Sequence, residues 1–355
     1  MTVSTPGQHI VWARLNPIGY RTTMPGHALQ MLDLPYVAGL TFRGFAGPSD
    51  FPLMLAVVNA AKLADGEERS ETVEEVASNY ATLTNSDPYR DMCVAEVNGE
   101  VVAYSRVWWD REPGGLHRYT GMCFVHPSWR RRGIGAAMLH WNQRRLREIA
   151  SGHPAENKVL ECFAVDQDTA AHDLYGENGY EPLTYGASMV RAHLDDIPDC
   201  PLPEGLEIRP VTEDQVRTIW EADGEAFRDH WGYVEPTEAD WQRFLVLPHT
   251  DRSLWKVAWD GERVAGQVKS FINPNENEEY HRKRGYTEAI STTREYRRRG
   301  LAKALICESL RELKRRGMEE AGLGVHTENP NGAFQLYQGL GYEVVQMWTT
   351  YRKRL

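Results

Sequence analysis

The chain has 355 residues, a formal net charge of −10 and 41% hydrophobic residues. This length and apolar content suffice for two buried cores of ordinary domain size. The acidic balance disfavours general binding to nucleic acid. The sequence holds no apolar run of the roughly 18 residues that a membrane helix needs, and no signal-peptide pattern at its start. We therefore expect a cytoplasmic protein without a nucleic-acid or membrane partner.

The cysteines and histidines give no support for a metal site. The sequence has no C-x-x-C pair and no helical H-x-x-x-H pair, so zinc chemistry is not expected. Five cysteines stand singly, mostly within apolar segments, which is typical of reduced and buried thiols in a cytosolic protein. They are Cys93, Cys123, Cys162, Cys200 and Cys307.

Several short features occur twice along the chain, separated by 162 to 167 residues. In chain order they are a strand start at Leu40–Arg43 and Leu206–Arg209, a turn at Asn98-Gly99 and Asp260-Gly261, an arginine segment at Trp129–Gly135 and Tyr296–Ala302, and a Leu-Tyr pair at Leu174-Tyr175 and Leu336-Tyr337. Asn-Gly and Asp-Gly favour tight β-hairpin turns. The recurrence indicates two copies of one domain.

We divide the chain into an N-terminal extension (1–37), a first domain (38–192), a linker (193–205) and a second domain (206–355), and call the two domains the first and second halves. The linker carries Pro198, Pro201 and Pro203 among aspartates, which is typical of a domain boundary. Each half runs in the order strand, helices, hairpin, strand, helix, strand, helix, strand. This order predicts an α/β or α+β fold with a mixed sheet.

The arginine segments are the most informative repeat. Each follows a strand-like run and opens an amphipathic stretch with helical spacing, such as Ile134, Met138 and Trp141. Positive charge is unfavourable at a helix N-terminus, so three arginines there suggest a bound anion. A glycine lets the backbone approach that anion, and free amides at a helix start bind phosphate. For a single copy a solvated charge run at a helix end is the favoured explanation, but repetition of the segment in matching context favours the anion site.

The two segments resemble the acetyl-CoA pyrophosphate loop of GNAT N-acetyltransferases, R/Q-x-x-G-x-G/A. The matching residues are Arg130, Gly133 and Gly135 in the first half and Arg297, Gly300 and Ala302 in the second. The family's downstream Asn, Leu-Tyr and Gly-Tyr landmarks recur in both halves, except that Asp168 stands where Asn is usual. The two-domain layout resembles the mycothiol-synthase-like branch of tandem GNAT proteins.

This resemblance implies two GNAT domains, each with a mixed, mostly antiparallel sheet flanked by helices. The strands before and after each loop should splay apart to admit the pantetheine arm of acetyl-CoA. In the second half the implied cofactor-binding residues are Ile290, Thr292, Arg297, Arg298, Arg299, Gly300, Leu301, Ala302, Lys303 and Asn331. In the first half they are Val125, Arg130, Arg131, Arg132, Gly133, Ile134, Gly135, Ala136 and Tyr175.

The resemblance also implies a Glu on the strand before the loop that accepts the amine proton, and a Tyr that protonates the leaving thiolate. Glu288 and Tyr337 fill these roles in the second half, whereas Gly121 occupies the position of the Glu in the first. His230 and Trp231 are candidate substrate residues. A solvent-facing strand Glu, a core Tyr and a packed His-Trp pair are the structural alternatives.

The function expected from this resemblance is acetyl-CoA-dependent acetyl transfer to the amine of a small molecule, with catalysis mainly in the second half. An acyl-CoA-binding pseudoenzyme or sensor and a protein or peptide N-acetyltransferase remain open alternatives. The sequence identifies neither the acceptor nor the oligomeric state, monomer or homodimer.

Overall fold

The structure is a computed structural model that describes residues 25–154, 156–328 and 332–355. Within these residues the strands are β1 (Leu40–Arg43), β2 (Met92–Val97), β3 (Glu100–Arg111), β4 (His117–Val125), β5 (Lys158–Val165), β6 (Glu181–Arg191), β7 (Glu207–Ile208), β8 (Lys256–Asp260), β9 (Arg263–Ile272), β10 (Arg284–Thr292), β11 (Glu320–His326) and β12 (Glu343–Arg354).

The α-helices in the same described ranges flank these strands. They are α1 (Phe51–Ala64), α2 (Val73–Ala81), α3 (Pro88–Asp91), α4 (Ile134–Ser151), α5 (Thr169–Glu177), α6 (Val216–Phe227), α7 (Glu238–Leu245), α8 (Pro274–Glu279), α9 (Leu301–Arg315) and α10 (Ala333–Gln338). Both arginine segments lead directly into a helix, α4 or α9, as the sequence predicts. No helix in the described part of the chain is both long and apolar enough to cross a membrane.

All twelve described strands belong to one sheet, ordered β1-β2-β3-β4-β5-β12-β6-β11-β10-β9-β8-β7. Only β4–β5 and β10–β11 pair in parallel among the described strand pairs, and the others are antiparallel. This arrangement confirms a mixed, mostly antiparallel sheet in each half. The structure adds that the two sheets are continuous with one another.

The sheets join by a reciprocal exchange of their last strands. The final strand of the second half, β12, pairs with β5 of the first half, and β6 of the first half pairs with β11 of the second. β6 and β12 then pair with each other, with Gly186 opposite Trp348. A Cβ on Gly186 would lie 2.0 Å from the Trp348 ring, so glycine at this position makes room for the indole. The exchange covers edges of β5 and β11 that would otherwise be unpaired.

The strands before and after each loop splay apart, as predicted. β4 and β5 pair only between His117 and Thr120 of β4, and β10 and β11 only between Arg284 and Tyr286 of β10. Beyond these residues each strand pair opens into a cleft at its carboxyl end. The arginine segment and the helix that follows it border the same cleft.

The described part of the N-terminal extension packs on the first half. Leu29, Met31 and Val37 contact its hydrophobic core, and Asp33 lies 2.9 Å from a ring nitrogen of His140 on α4. The chain therefore covers the start of α4 before its first strand begins.

The connection between the halves is packed rather than loose. Leu194 and Cys200 are buried in the core of the second half. The five cysteines are all free thiols, but the Sγ atoms of Cys200 and Cys307 lie 2.9 Å apart. This pair, which the sequence spacing does not reveal, attaches the linker to α9.

Candidate active site

A cavity of about 610 Å³ opens where β10 and β11 splay apart. It gathers most of the residues implied for the second half, with additional residues from α6, β11 and β12. Its lining includes Ala226, Phe227, His230, Thr287, Glu288, Ala289, Ile290, Ser291, Thr292, Tyr296, Arg297, Arg298, Gly300, Leu301, Ala302, Lys303, Gly324, Val325, His326, Ala333, Leu336, Tyr337 and Trp348. Asn331 lies outside the described residues.

The loop backbone has the same shape in both halves. Gly133 and Gly300 each precede a helix with φ of +82°, and Arg131 and Arg298 each have φ of +61°. These glycines are the N-cap residues of α4 and α9 and have no side chain that could cap the first N–H groups. Both loops therefore present free helix amides and a left-handed glycine, which together favour a bound phosphate.

The first arginine of each segment binds within the protein. Arg297 donates from Nε to the Thr292 carbonyl at 3.1 Å and contacts Asp229 at 2.8 Å. Arg130 repeats this arrangement in the first half, with Val125 at 3.3 Å and both carboxylate oxygens of Asp65 at 2.6 and 2.7 Å. These arginines tie the end of the strand to a carboxylate, so part of their charge is already compensated.

The second arginine distinguishes the halves. Arg131 forms an ion pair with Asp173 at 2.9 Å, but the equivalent of Asp173 in the second half is the neutral Gln335. Arg298 lines the cavity and has no ion pair with the part of the chain that the structure describes. Arg131 therefore has a carboxylate partner beside the first-half loop, whereas Arg298 has no such partner among the described residues of the second half.

The third arginine of each segment makes a cation–π contact with the aromatic residue at the start of that segment. Arg132 lies 4.7 Å from the Trp129 ring centre and Arg299 lies 5.5 Å from that of Tyr296. Neither lines a cleft, and Ile134 is fully buried in the core. The structure thus leaves these three predicted residues away from the cleft surface.

A β-bulge interrupts β10 and has no counterpart in β4. The pairing of β10 with β9 shifts by one residue between Glu288 and Ser291, so Ala289 and Ile290 lie opposite Val268 alone. Ala289 has φ of +46°, which is strained for a residue with a side chain. A bulge leaves its extra residue out of the ladder, and both Ala289 and Ile290 line the cavity. The pairing of β4 with β3 is regular throughout.

Glu288 lies on the cavity wall immediately before this bulge. Its side chain is 32% exposed, and Arg69 Nη2 lies 3.5 Å from its Oε1. Burial raises the pKa of Glu288, while Arg69 and the Gly324 backbone N–H act in the opposite direction. A carboxyl group with a raised pKa is suited to accept a proton near neutral pH.

Tyr337 and Tyr175 are equivalent but differ in their contacts. Tyr175 donates from its hydroxyl to the Phe163 carbonyl at 3.4 Å and packs against Tyr351. The Tyr337 hydroxyl makes no hydrogen bond to the described residues and borders the cavity that Glu288 lines. Burial, with the charge of Glu288, raises the pKa of Tyr337, so its phenol stays protonated at neutral pH.

Of the two predicted substrate residues, His230 lines the cavity and Trp231 does not. The Trp231 ring packs against His326, with centroids 5.2 Å apart. His326 and Trp348 line the cavity and were missed from the sequence, because strand exchange and splaying bring them there. Burial lowers the pKa of His326, so its imidazole is neutral at pH 7.

Two adjoining cavities, which share Val125, Arg130 and Tyr175, lie beside β4 and the arginine loop of the first half. One of about 520 Å³ lies over the face of β4 and one of about 230 Å³ lies beside the loop. Their linings include Val125, Arg130, Arg131, Gly133, Gly135, Ala136 and Tyr175, together with Asp168, Asp173 and Glu177 around the smaller one. A Cβ on Gly133 would lie 2.8 Å from Pro35, whereas Gly300 has open space around it. The first-half loop is thus more acidic and partly covered.

Comparison with known families assigns this architecture. Residues 88–182 match the GNAT acetyltransferase domain, and residues 215–342 match the GNAT acetyltransferase family. The chain belongs to the GNAT family. It is an acetyltransferase with two such domains in tandem, each match containing one arginine loop.

Two relatives named mycothiol acetyltransferase are similar over most of the chain. The protein from Geodermatophilus obscurus is 26% identical over 298 residues, covering 83% of this chain and 91% of the relative. The protein from Saccharomonospora viridis is 28% identical over 307 residues, covering 82% and 91%.

Solved structures agree with the tandem fold. A GCN5-related N-acetyltransferase from Sphaerobacter thermophilus has a TM-score of 0.71 and 26% identity, covering 91% of this chain and 97% of that one. A tandem GNAT protein from the clavulanic acid biosynthesis pathway has a TM-score of 0.62 at 16% identity, covering 89% and 98%. The latter likeness supports the fold alone.

Proposed function

We propose that the protein transfers an acetyl group from acetyl-CoA to the amine of a small molecule, and that the second half carries out this reaction. The observation that carries the proposal is the bulge in β10 beside Glu288. The residues of the bulge and the Glu288 carboxylate line the same cavity wall, which supports a role for a bulge N–H beside this carboxylate. The equivalent strand of the first half has a regular ladder and Gly121 in place of the Glu.

An acetyl-CoA donor fits the residues of this cavity. The uncapped start of α9, the open space at Gly300 and the unpaired charge of Arg298 suit its diphosphate. The splayed edge of β10 suits an amide-rich arm that pairs like a strand. When bound, acetyl-CoA supplies the acetyl group as a thioester that is activated towards an amine.

Three groups of the chain and the walls of the cleft then take separate parts in the reaction. A backbone N–H of the bulge donates a hydrogen bond to the carbonyl oxygen of the acetyl group. This hydrogen bond stabilises the negative charge that develops on that oxygen when the amine attacks. Glu288 accepts a proton from the amine, and the Tyr337 hydroxyl donates a proton to the leaving sulfur. The walls of the cleft hold the two reactants together, which makes the step effectively intramolecular.

The acceptor is a small amine, and the names of the curated relatives make amines related to mycothiol the first to test. A panel of such amines, polyamines and peptides, assayed for thiol release from acetyl-CoA, should give turnover with a small amine. Tight binding of CoA with no turnover across the panel would instead favour a sensor. Turnover with peptides alone would favour a protein acetyltransferase.

We expect Tyr337→Phe to lower kcat by about 100-fold, because the leaving sulfur loses its proton donor. Tyr175→Phe removes the same atom from the equivalent packing position and should leave kcat nearly unchanged. Steady-state kinetics with both variants, checked by thermal melting, makes the comparison. Equal losses of activity would contradict the assignment of catalysis to the second half.

A further inference from the structure

The chain between α1 and α2 crosses from the first half to the cleft of the second. Residues 65–69, which we call the bridging segment, leave the end of α1 and reach β10. The Arg69 guanidinium lies 4.0 Å from the Tyr286 ring centre, and its Nη2 is 3.5 Å from Glu288 Oε1. A first-half side chain thus contacts the proposed base of the second half.

Both ends of the bridging segment are anchored. At its start, Asp65 holds Arg130 of the first-half loop through two hydrogen bonds, and its carbonyl accepts a hydrogen bond from Gln346 on β12. Near its end, the Glu68 carboxylate accepts a hydrogen bond from Arg282 and lies 3.2 Å from Nη1 of Arg284. Arg282 Nη2 also donates to the Glu68 carbonyl at 2.9 Å. These contacts limit the positions that Arg69 can take.

Arg69 differs from the other charged groups near Glu288 in its direct contact with the carboxylate. On β9, Lys269 lies opposite Glu288 but forms an ion pair with Asp223 at 2.7 Å. On β11, the neighbouring groups are the Gly324 N–H and the neutral ring of His326.

The remaining titratable groups near Glu288 come from the α6–α7 connection and from α10 with the turn after it. They are His230, which lines the cavity, and the phenols of Tyr337 and Tyr342, whose pKa values burial and the Glu288 charge raise. Both phenols are neutral at pH 7. Arg69 is therefore the permanent positive charge in direct contact with Glu288 within the described residues.

We propose that Arg69 is a positioning residue for catalysis in the other half of the chain, holding Glu288 ionised and oriented until the amine arrives. This inference rests on the proposed role of Glu288 as the base. It gives the first half a part in a reaction that takes place in the second. The contact of the first-half arginine loop with Asp65 fixes the start of the bridging segment.

The sign of the expected pH effect follows from the charge. A base must be deprotonated, so activity falls as the pH drops through the pKa of Glu288. An opposite charge within 4 to 6 Å lowers a carboxyl pKa, and partial exposure weakens the effect. In Arg69→Gln the acid limb of kcat/KM should move upward by about one pH unit, with a tenfold lower kcat/KM below the limb and nearly full activity above it.

The test compares pH profiles of five variants of the intact protein, the first of which is Arg69→Gln. Arg69→Lys retains the charge and should restore most of the original limb. Arg217→Gln removes a surface arginine near the N-terminus of α6 that pairs with Glu221 and Glu238 and lies over the Trp220 and Trp241 rings, and it should leave the profile unchanged. In Glu288→Gln, adding Arg69→Gln should have no further effect on the residual pH dependence.

Three outcomes are decisive. A shifted limb that Lys restores supports the proposal. If the acid limb of kcat/KM does not move in Arg69→Gln, or if activity falls equally at every pH, the proposed role of Arg69 is wrong even if Glu288 is the base. Full activity of Glu288→Gln overturns the assignment of the base itself, and with it the role of Arg69. Melting temperatures within a few degrees of the unaltered protein establish that each variant folds.

Discussion

Glu288→Gln is expected to lower kcat by roughly 10²–10⁴-fold, which corresponds to about 3 to 5 kcal/mol of lost transition-state stabilisation. Glutamine preserves the shape of the side chain but cannot accept the proton of the incoming amine. The affinity for CoA should hardly change, because Glu288 lies on the wall beside the bulge and away from the arginine loop. Steady-state kinetics and calorimetry measure the two quantities separately.

A matched carboxylate tests whether the effect is specific. Glu320 lies on β11 at the closed end of the same strand pair, where it contacts Arg284 at 2.7 Å. It does not line the cavity. Glu320→Gln should therefore retain full turnover, apart from a small loss of stability. If Glu288→Gln retains full turnover as well, the proposed base is wrong.

Gly300→Val is expected to weaken CoA binding in the second half by roughly 100-fold, through the loss of one or two hydrogen bonds to a charged group. The φ of +82° is strained for any residue with a side chain, most of all a β-branched one. The added methyl groups would also occupy the open space in front of the α9 amides. Calorimetric titration of the folded variant with CoA measures the loss.

The control for this variant lies just beyond the other end of α9. Gly317 has φ of +83° and open space around it, but it is remote from the cleft. Gly317→Val should therefore cost similar stability and leave CoA binding intact. Equal losses of affinity in both variants would mean that strain, and not the loop, causes the effect.

The same titration on the unaltered chain counts the binding sites. Both loops have the backbone of an anion site, so two sites are possible by sequence. The paired charge of Arg131, the nearby Asp168 and the contact of Pro35 with Gly133 all disfavour the first-half site. We expect one strong CoA site per chain, and a second of equal affinity would show that these features do not exclude CoA.

The sequence predicts well what depends on local pattern. The Asn98-Gly99 turn lies between β2 and β3 as expected, whereas the second turn centres on Gly261 and Glu262, one residue later than Asp260-Gly261. Helical periodicity predicts the helix starts, and the Asn-Gly and Asp-Gly pairs predict the hairpins. The resemblance to the GNAT family predicts that the strands splay apart. The bulge at Ala289 is not predictable in this way, because the one-residue shift is a property of the pairing with β9 and leaves no mark in the sequence of β10 alone.

Features that depend on distant contacts were not predictable from one sequence. Arg69 and Glu288 are 219 residues apart, and nothing in the composition of either segment pairs them. Pro35 lies in an extension without a repeat to compare it with. The internal partners of Arg130 and Arg297 were missed for the same reason, since Asp65 and Asp229 follow helices whose packing sets their position.

The exchanged strands also affect the order in which the chain can fold during synthesis. Glu161 of β5 and Arg352 of β12 form an ion pair across the strands, yet they are 191 residues apart. At about 5–20 residues per second, a ribosome needs roughly 10 to 40 s to deliver the partner strand. Throughout that interval the nascent first half carries an open edge on β5, a site for wrong pairing with other chains. Both halves are completed together once β12 has been synthesised.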